Sequence, residues 1–172
     1  MFDKGAISVS GPEDPGVCGT RPQAAALCFV LAKGKPHILL ITSRATGRWV
    51  LPKGWPIIGL TAAEAAAREA YEEAGVLGAV SETCIGQFFY LKQIPLADSL
   101  PCLVSVYPLR VQKLRNDFPE QGERQRQWFS PEKAATLVAE PELQGILRAF
   151  DPAMQALAAK SSHRKTPPGG KG

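Results

Sequence analysis

The chain has few of the residues that build zinc sites and disulfide frameworks. Its 172 residues include two histidines and four cysteines, and the cysteines show no Cys-x-x-Cys spacing. Cys28 and Cys102 lie inside apolar runs, where a cysteine usually behaves as a small buried hydrophobe. The composition therefore argues against a structural zinc site and against a secreted disulfide scaffold.

Long apolar stretches and a large charge imbalance are also missing. No apolar run approaches the roughly 20 residues that a membrane span needs. Residues 1–19 contain acidic residues and prolines but no apolar signal core. We therefore expect neither secretion nor membrane insertion, and a cytoplasmic location. The net charge of +4 suits an anionic small-molecule ligand and does not require a nucleic-acid partner.

The length and composition predict one folded domain between two tails. A chain of 172 residues with 45% apolar residues can bury a substantial core. We expect a flexible N-terminal segment over residues 1–19, a domain over 20–158 and a disordered basic tail over 159–172. Nothing in the sequence indicates an oligomeric state.

Strand and helix patterns follow one another without regular alternation or internal repeat, which predicts an α+β fold. Apolar runs bounded by glycine and proline predict the strands, and capping residues and prolines predict the helix starts. The expected strands cover residues 24–32, 37–43, 48–51, 81–92, 103–111 and 125–129, and the expected helices cover 61–74, 131–139 and 141–150.

Three carboxylates, Glu69, Glu72 and Glu73, occur within five residues of one predicted helix. Glu69 and Glu73 are like charges at i,i+4, which cost a helix roughly 0.2–0.5 kcal/mol. Anions in the last turn also oppose the helix dipole. A segment that breaks two local rules is typical of a functional site, and clustered carboxylates suit Mg²⁺ or Mn²⁺. An ordinary solvated helix with Arg68 paired to a glutamate is the alternative.

A glycine-rich and proline-rich loop precedes this helix, over residues 47–60. Thr61 and Glu64 have the Thr-x-x-Glu spacing of a capping box, so the helix should begin near Ala62. Gly75 is well placed to end the helix in a left-handed conformation. The unit is a short strand, a glycine loop and an alanine-rich helix, with the carboxylates near its far end.

This unit resembles the signature of the Nudix hydrolase family. That signature is Gly, five residues, Glu, seven residues, then Arg-Glu-U-x-Glu-Glu-x-Gly-U, where U is a bulky aliphatic residue. Two positions depart from it, because Leu60 replaces the first glutamate and Ala70 replaces the first aliphatic residue. Over residues 21–150 the chain is similar to the diphosphoinositol polyphosphate phosphohydrolase branch, which includes diadenosine polyphosphate hydrolases. The matching positions are Gly54, Arg68, Glu69, Glu72, Glu73, Gly75 and Val76.

The resemblance implies an α/β/α sandwich with a mixed sheet, and metal-dependent cleavage of a diphosphate bond by water attack at phosphorus. It implies that Glu72 and Glu73 are metal ligands and that Glu69 is a ligand or the base for the attacking water. Arg68 would orient a glutamate through a charge-assisted bond. Gly54 would let the backbone bend closely around the metal and the phosphates.

Other charged residues could complete such a site. A later loop offers Glu120 and Glu123, with a slight preference for Glu123 as a further catalytic carboxylate and an exposed loop charge as the alternative. Four cations flank the expected cleft and as a group favour a multiply phosphorylated substrate, although each alone could be a surface charge: Arg21, Arg44, Arg48 and Lys53.

Several functions remain open on the sequence alone. The substrate could be a diphosphoinositol polyphosphate, a diadenosine polyphosphate or a similar nucleotide. An RNA 5′-pyrophosphohydrolase is an alternative that the basic tail allows, but aromatic and basic residues are not interleaved as in nucleic-acid binders. Leu60 motivates a second alternative, a Nudix-fold sensor that binds a nucleotide or ADP-ribose with little turnover. A chance match on a structural helix is a third.

Overall fold

The computed structural model describes residues 19–155, so the expected basic tail and nearly all of the expected N-terminal segment lie outside the described residues. The strands and helices follow in the order β1 (Arg21–Ala32), β2 (Lys35–Thr42), β3 (Trp49–Val50), β4 (Lys53–Gly54), α1 (Ala62–Ala74), β5 (Val76–Val80), β6 (Gly86–Lys92), β7 (Leu100–Leu114), β8 (Arg126–Phe129), α2 (Pro131–Leu137) and α3 (Pro141–Ala149).

A mixed sheet forms the centre of the molecule. Its central path runs β3-β2-β1-β7-β5, while β4 pairs with β1, β6 with β7 and β8 with β2. The β1–β7 pair is parallel and extends from Arg21 opposite Cys102 to Phe29 opposite Arg110. The other pairs are antiparallel. Because β1 is central and covered on both faces, its side chains from Ala24 to Phe29 are apolar without alternation.

Helices cover both faces of this sheet. On one face α1 packs through Ala66, Ala70 and Ala74 against Ala24 and Ala26 of β1. Small side chains on both elements let the helix lie close to the strand. On the other face α2 and α3 pack against the sheet and enclose the second hydrophobic core, which includes Leu27, Phe29, Ala134, Leu143 and Leu147. This arrangement confirms the predicted α+β sandwich.

Local interactions fix both ends of α1. The Thr61 hydroxyl accepts from the Glu64 amide at 3.2 Å, and the Glu64 carboxylate accepts from the Thr61 amide at 2.8 Å. This completes the predicted capping box. Gly75 follows the helix with φ of 68°, as predicted. Arg126 Nη1 of β8 donates to the Ala74 carbonyl at 2.6 Å, so a cation satisfies the carboxyl end of a helix that has no basic residue in its last turn.

The prediction of a strand over residues 81–92 was right for residues 86–92 and wrong for 81–85, and β5 was not predicted. The chain forms β5 directly after Gly75, leaves the sheet over residues 81–85 and returns as β6. An irregularity between Leu77 and Gly78 breaks the alternation that would have indicated β5. A side chain at Gly78 would collide with the Arg110 backbone, so this bulge requires glycine.

Within the described residues no helix is both long enough and apolar enough to cross a membrane.

Candidate active site

Glu73 is the most deeply anchored carboxylate of α1. Only 9% of the residue is exposed. Its Oε1 accepts from Arg124 Nη2 at 3.1 Å, and its Oε2 accepts from the Lys53 amide at 3.2 Å. Burial raises the pKa of Glu73, while Arg124 and Lys53 oppose the shift. The helix and the glycine loop are therefore tied together through this carboxylate.

Glu69 differs from Glu73 because its carboxylate lacks a fixed partner. The residue is half-buried, and within residues 19–155 its side chain makes no hydrogen bond or ion pair. Burial is the main cause that raises the pKa of Glu69 to about 7, and the carboxylates of Glu73, Glu72 and Glu120 add to it. Such a group favours either a proton or a cation beside it.

Gly54 makes room for Glu69. A Cβ built on Gly54 would overlap the Glu69 carboxyl group and would lie 2.8 Å from its Cγ. Backbone strain is not the reason for glycine, because the φ of Gly54 lies outside the left-handed region. The glycine therefore places the β4 backbone directly against the carboxylate, while its predicted approach to a metal and phosphates stays a prediction.

Glu72 lies at the edge of the cluster. Its side chain is 37% exposed and its Oε1 is 3.8 Å from Arg68 Nη1. Its main-chain carbonyl accepts from the Glu120 amide at 3.0 Å, which joins the end of α1 to the loop before β8. Across the described part of the chain no three acidic, histidine or cysteine side chains already form a metal-binding group.

The donor set nevertheless fits a hard divalent cation. Glu69 supplies a half-buried carboxylate without a partner; burial is the first cause of its raised pKa, and an excess of neighbouring negative charge adds to it. Glu73 and Glu120 contribute to that excess, and both carry oxygen ligands of the kind that Mg²⁺ and Mn²⁺ prefer. The charge of Arg124 opposes the shift of the Glu69 pKa. A bound cation would supply the charge that the site lacks.

The structure orders the two loop carboxylates differently from the sequence, which gave a slight preference to Glu123 over Glu120. Glu123 is exposed and pairs with Arg44 at 2.9 Å. Glu120 lies 3.4 Å from both Arg44 and Arg124, and its charge reaches Glu69 and Glu73. Of the two residues, the structure therefore places Glu120 beside the α1 carboxylates.

The structure also places Arg124 inside the site, a residue to which the sequence assigned no role. It is nearly buried and contacts Glu73, Glu120 and the Thr42 carbonyl, the last at 3.2 Å. Its Nε is buried without a hydrogen-bond partner. Its spacing from Glu73 along the chain is 51 residues, so no local pattern could have paired them.

A cleft of about 320 Å³ opens beside Glu73. On its wall Lys53 Nζ lies 4.8 Å from the centre of the Tyr90 ring, and burial lowers the pKa of Lys53. The Tyr90 hydroxyl donates to Gln23 Oε1 at 2.7 Å. The charged residues that line the cleft are Arg44, Arg48, Lys53, Glu73, Lys92 and Arg124.

Three of the four cations that were predicted to bind phosphate line the cleft, and one does not. Lys53, Arg44 and Arg48 line the cleft, whereas Arg21 is exposed at the start of β1 and is not part of its lining. Arg44 is paired with two loop carboxylates, and Arg48 Nη2 lies 2.7 Å from the buried Glu140.

A larger cavity, of about 940 Å³, lies near Val80 and Phe150 and contains none of the α1 carboxylates.

Comparison with known families places the chain in one of them. The model of the NUDIX domain matches residues 21–170. The chain is 34% identical over 118 residues to human diphosphoinositol polyphosphate phosphohydrolase 3-alpha, covering 67% of this chain and 68% of the relative. It is 31% identical over 123 residues to Nudix hydrolase 13, mitochondrial, of Arabidopsis thaliana, covering 69% of this chain and 61% of the relative. The chain belongs to the Nudix family.

Solved structures share the fold. The Caenorhabditis elegans Ap4A hydrolase in a binary complex superposes with a TM-score of 0.57 at 21% identity, covering 82% of this chain and 99% of that one. The Escherichia coli dihydroneopterin triphosphate pyrophosphohydrolase gives 0.58 at 17% identity, covering 75% and 93%. The chain spans about 60% of the length of the Arabidopsis relatives that it matches.

Proposed function

We propose that this chain is a metal-dependent pyrophosphohydrolase that cleaves a phosphoanhydride bond by water attack at phosphorus. The observation that carries the proposal is the half-buried, unpartnered Glu69, held against Gly54 among other carboxylates and one helical turn from Glu73, which lines a cleft that contains cations. Family membership and the named hydrolases among the relatives support it.

In this proposal the α1 carboxylates hold Mg²⁺ or Mn²⁺, with Glu69 and Glu73 as ligands and Glu72 joining them when its side chain leaves Arg68. The cation, when bound, neutralises phosphate charge and lowers the pKa of water. Alternatively, Glu69 does not bind the cation and is instead the base that takes the proton of the attacking water. Glu120 is preferred to Glu123 as the loop carboxylate.

The chain's other residues bind and orient the phosphates. Lys53 presents its ammonium group from the cleft wall, and its backbone amide donates a hydrogen bond to the Glu73 carboxylate, so phosphate and carboxylate positions are coupled. Arg124 holds Glu73 in one orientation. Arg68 orients Glu72. A phosphorylated small molecule of the diphosphoinositol polyphosphate or diadenosine polyphosphate type is the proposed substrate, and a cytoplasmic location stays a prediction.

A panel assay tests this proposal. The protein would be incubated with Mg²⁺ or Mn²⁺ and with diadenosine polyphosphates, diphosphoinositol polyphosphates, ADP-ribose, nucleoside triphosphates and 5′-triphosphorylated RNA, and products followed by chromatography. We expect cleavage of at least one small molecule, lost in Glu73→Gln. Equal turnover by Glu73→Gln would contradict the assignment of the site.

A nucleotide sensor is the second candidate. Leu60 occupies the first glutamate position of the signature, and Glu73 is already bonded to Arg124. Stabilisation by a nucleotide, without any product at high Mg²⁺ or Mn²⁺, would favour this function over hydrolysis.

A further inference from the structure

A buried carboxylate outside the Nudix signature, Glu140, contacts a residue of the cleft lining without lining the cleft itself. It lies in the connection between α2 and α3, and its side chain is 8% exposed. Its Oε1 lies 2.7 Å from Arg48 Nη2, a short distance typical of charge-assisted pairs. Arg48 lines the cleft. Glu140 therefore acts on the cleft from behind, through a residue that a substrate would meet.

Helix capping does not explain this glutamate. Glu140 occupies the N-cap position of α3, where serine, threonine, aspartate and asparagine are favoured. Its side chain makes no capping hydrogen bond. By contrast, Thr61 and Ser130, at the N-caps of α1 and α2, both make one. The buried charge of Glu140 is directed to Arg48 instead.

The influence of Glu140 extends beyond that single pair. Its charge opposes the burial-induced lowering of the Lys53 pKa, so its field reaches a second cation of the cleft. Arg44 is similarly compensated by Glu120 and Glu123. The cleft thus contains many cations but has much less net positive charge than its arginines and lysines suggest.

We propose that Glu140 is a specificity-determining positioning residue, which holds Arg48 and limits how much negative charge the cleft accepts. This inference rests on the proposed function. Of the two proposed substrate types, it favours a diadenosine polyphosphate over a diphosphoinositol polyphosphate, because the latter carries more phosphate charge on one compact ring. It revises the expectation that the four flanking cations act together on a multiply phosphorylated ligand.

Binding of inorganic phosphates tests the proposal without requiring turnover. Orthophosphate, pyrophosphate and tripolyphosphate would be titrated calorimetrically into chelator-treated protein at fixed ionic strength. Glu140→Gln keeps the shape and removes the charge. We expect roughly twofold tighter orthophosphate binding and roughly tenfold tighter tripolyphosphate binding, because the Coulomb gain grows with ligand charge.

Matched variants separate this role from general effects. Glu142→Gln makes the same charge change on the exposed first turn of α3, and Glu140→Asp keeps the charge, so both should leave the tripolyphosphate-to-orthophosphate ratio within about twofold. Arg48→Gln should weaken tripolyphosphate more than orthophosphate, because Glu140 is then uncompensated. The double variant Arg48→Gln/Glu140→Gln should lie between the two single variants.

Some results would overturn the proposal. Folded Glu140→Gln with an unchanged ratio would do so, and so would an equal shift in Glu142→Gln. If Glu140→Gln fails to fold, the Arg48→Gln variant provides the test. An equal loss of affinity for orthophosphate and tripolyphosphate in Arg48→Gln would refute the proposed role of Glu140. With a substrate that is turned over, KM should shift while kcat stays within about twofold, since positioning affects ground-state binding. A shifted ratio without any hydrolysis would support Glu140 and contradict the proposed function.

Discussion

Replacing Gly54 by alanine should separate activity from stability. The new Cβ would occupy the position of the Glu69 carboxyl group, with Cγ 2.8 Å away. Because Glu69 has no hydrogen bond or ion pair within the described residues, it can move aside at a cost of about 0.5–1.5 kcal/mol, the cost of an unfavourable rotamer. Alanine also restricts the unfolded chain, which offsets about 0.4–1 kcal/mol of that cost.

The functional cost should be much larger. A displacement of about 1 Å at a catalytic group can reduce turnover roughly 100-fold. We therefore expect kcat/KM of Gly54→Ala to fall about 100-fold, while the free energy of unfolding in urea changes by less than about 1 kcal/mol. Excess Mn²⁺ should recover part of the activity if the loss is in metal affinity.

Two comparisons make this prediction refutable. Gly145 in α3 has open space around its Cβ position, so Gly145→Ala should leave activity unchanged and stabilise the helix by about 0.5–1 kcal/mol. Gly54→Ala in a Glu69→Gln background should cause little further loss, because both changes act on the same carboxylate. Wild-type activity in Gly54→Ala, or a loss that merely follows unfolding, would refute the reasoning.

Three other perturbations have defined outcomes. Arg124→Met should destabilise metal-free protein by about 3–5 kcal/mol, because it leaves the buried Glu73 carboxylate without its ion-pair partner. Adding Glu73→Gln to that variant should recover much of the lost stability, and if urea unfolding instead shows that the two losses add, the ion pair is not the cause. Because the folded pKa of Glu69 is raised, the native state binds more protons than the unfolded state, so the stability of metal-free protein should fall as the pH rises from about 4.5 to 7. The fall should be less steep in Glu69→Gln, and identical curves of stability against pH for the two proteins would contradict this. Leu60→Glu should leave activity unchanged or raise it in the panel assay, and a large loss would assign a packing role to the half-buried Leu60.

The α1 unit could be predicted from the sequence because its determinants are local. Thr61, Glu64 and Gly75 act within one turn of each helix end, so their spacing identifies the caps. Apolar runs likewise indicated the buried strands β1 and β2. β5 was missed because Gly78 and the bulge beside it interrupt the two-residue periodicity on which strand prediction depends.

The electrostatic arrangement of the site could not be predicted in the same way. Arg124 meets Glu73, and Arg48 meets Glu140, only after the sheet brings distant segments together. A sequence shows that arginines and glutamates are present but not which of them neutralise one another. For that reason the four flanking cations as a group favoured a multiply phosphorylated substrate, whereas Arg44 and Arg48 are already paired with carboxylates.

The most direct test of the central claim is the metal dependence of turnover at the α1 carboxylates. Phosphoanhydride cleavage would be measured after chelation and again as Mn²⁺ or Mg²⁺ is restored, in wild type, Glu69→Gln and Glu73→Gln. The account predicts that chelation abolishes cleavage, that metal restores it, and that both variants stay at least about 100-fold below wild type at every metal concentration. Cleavage that survives chelation, or a variant that matches wild type, would contradict it.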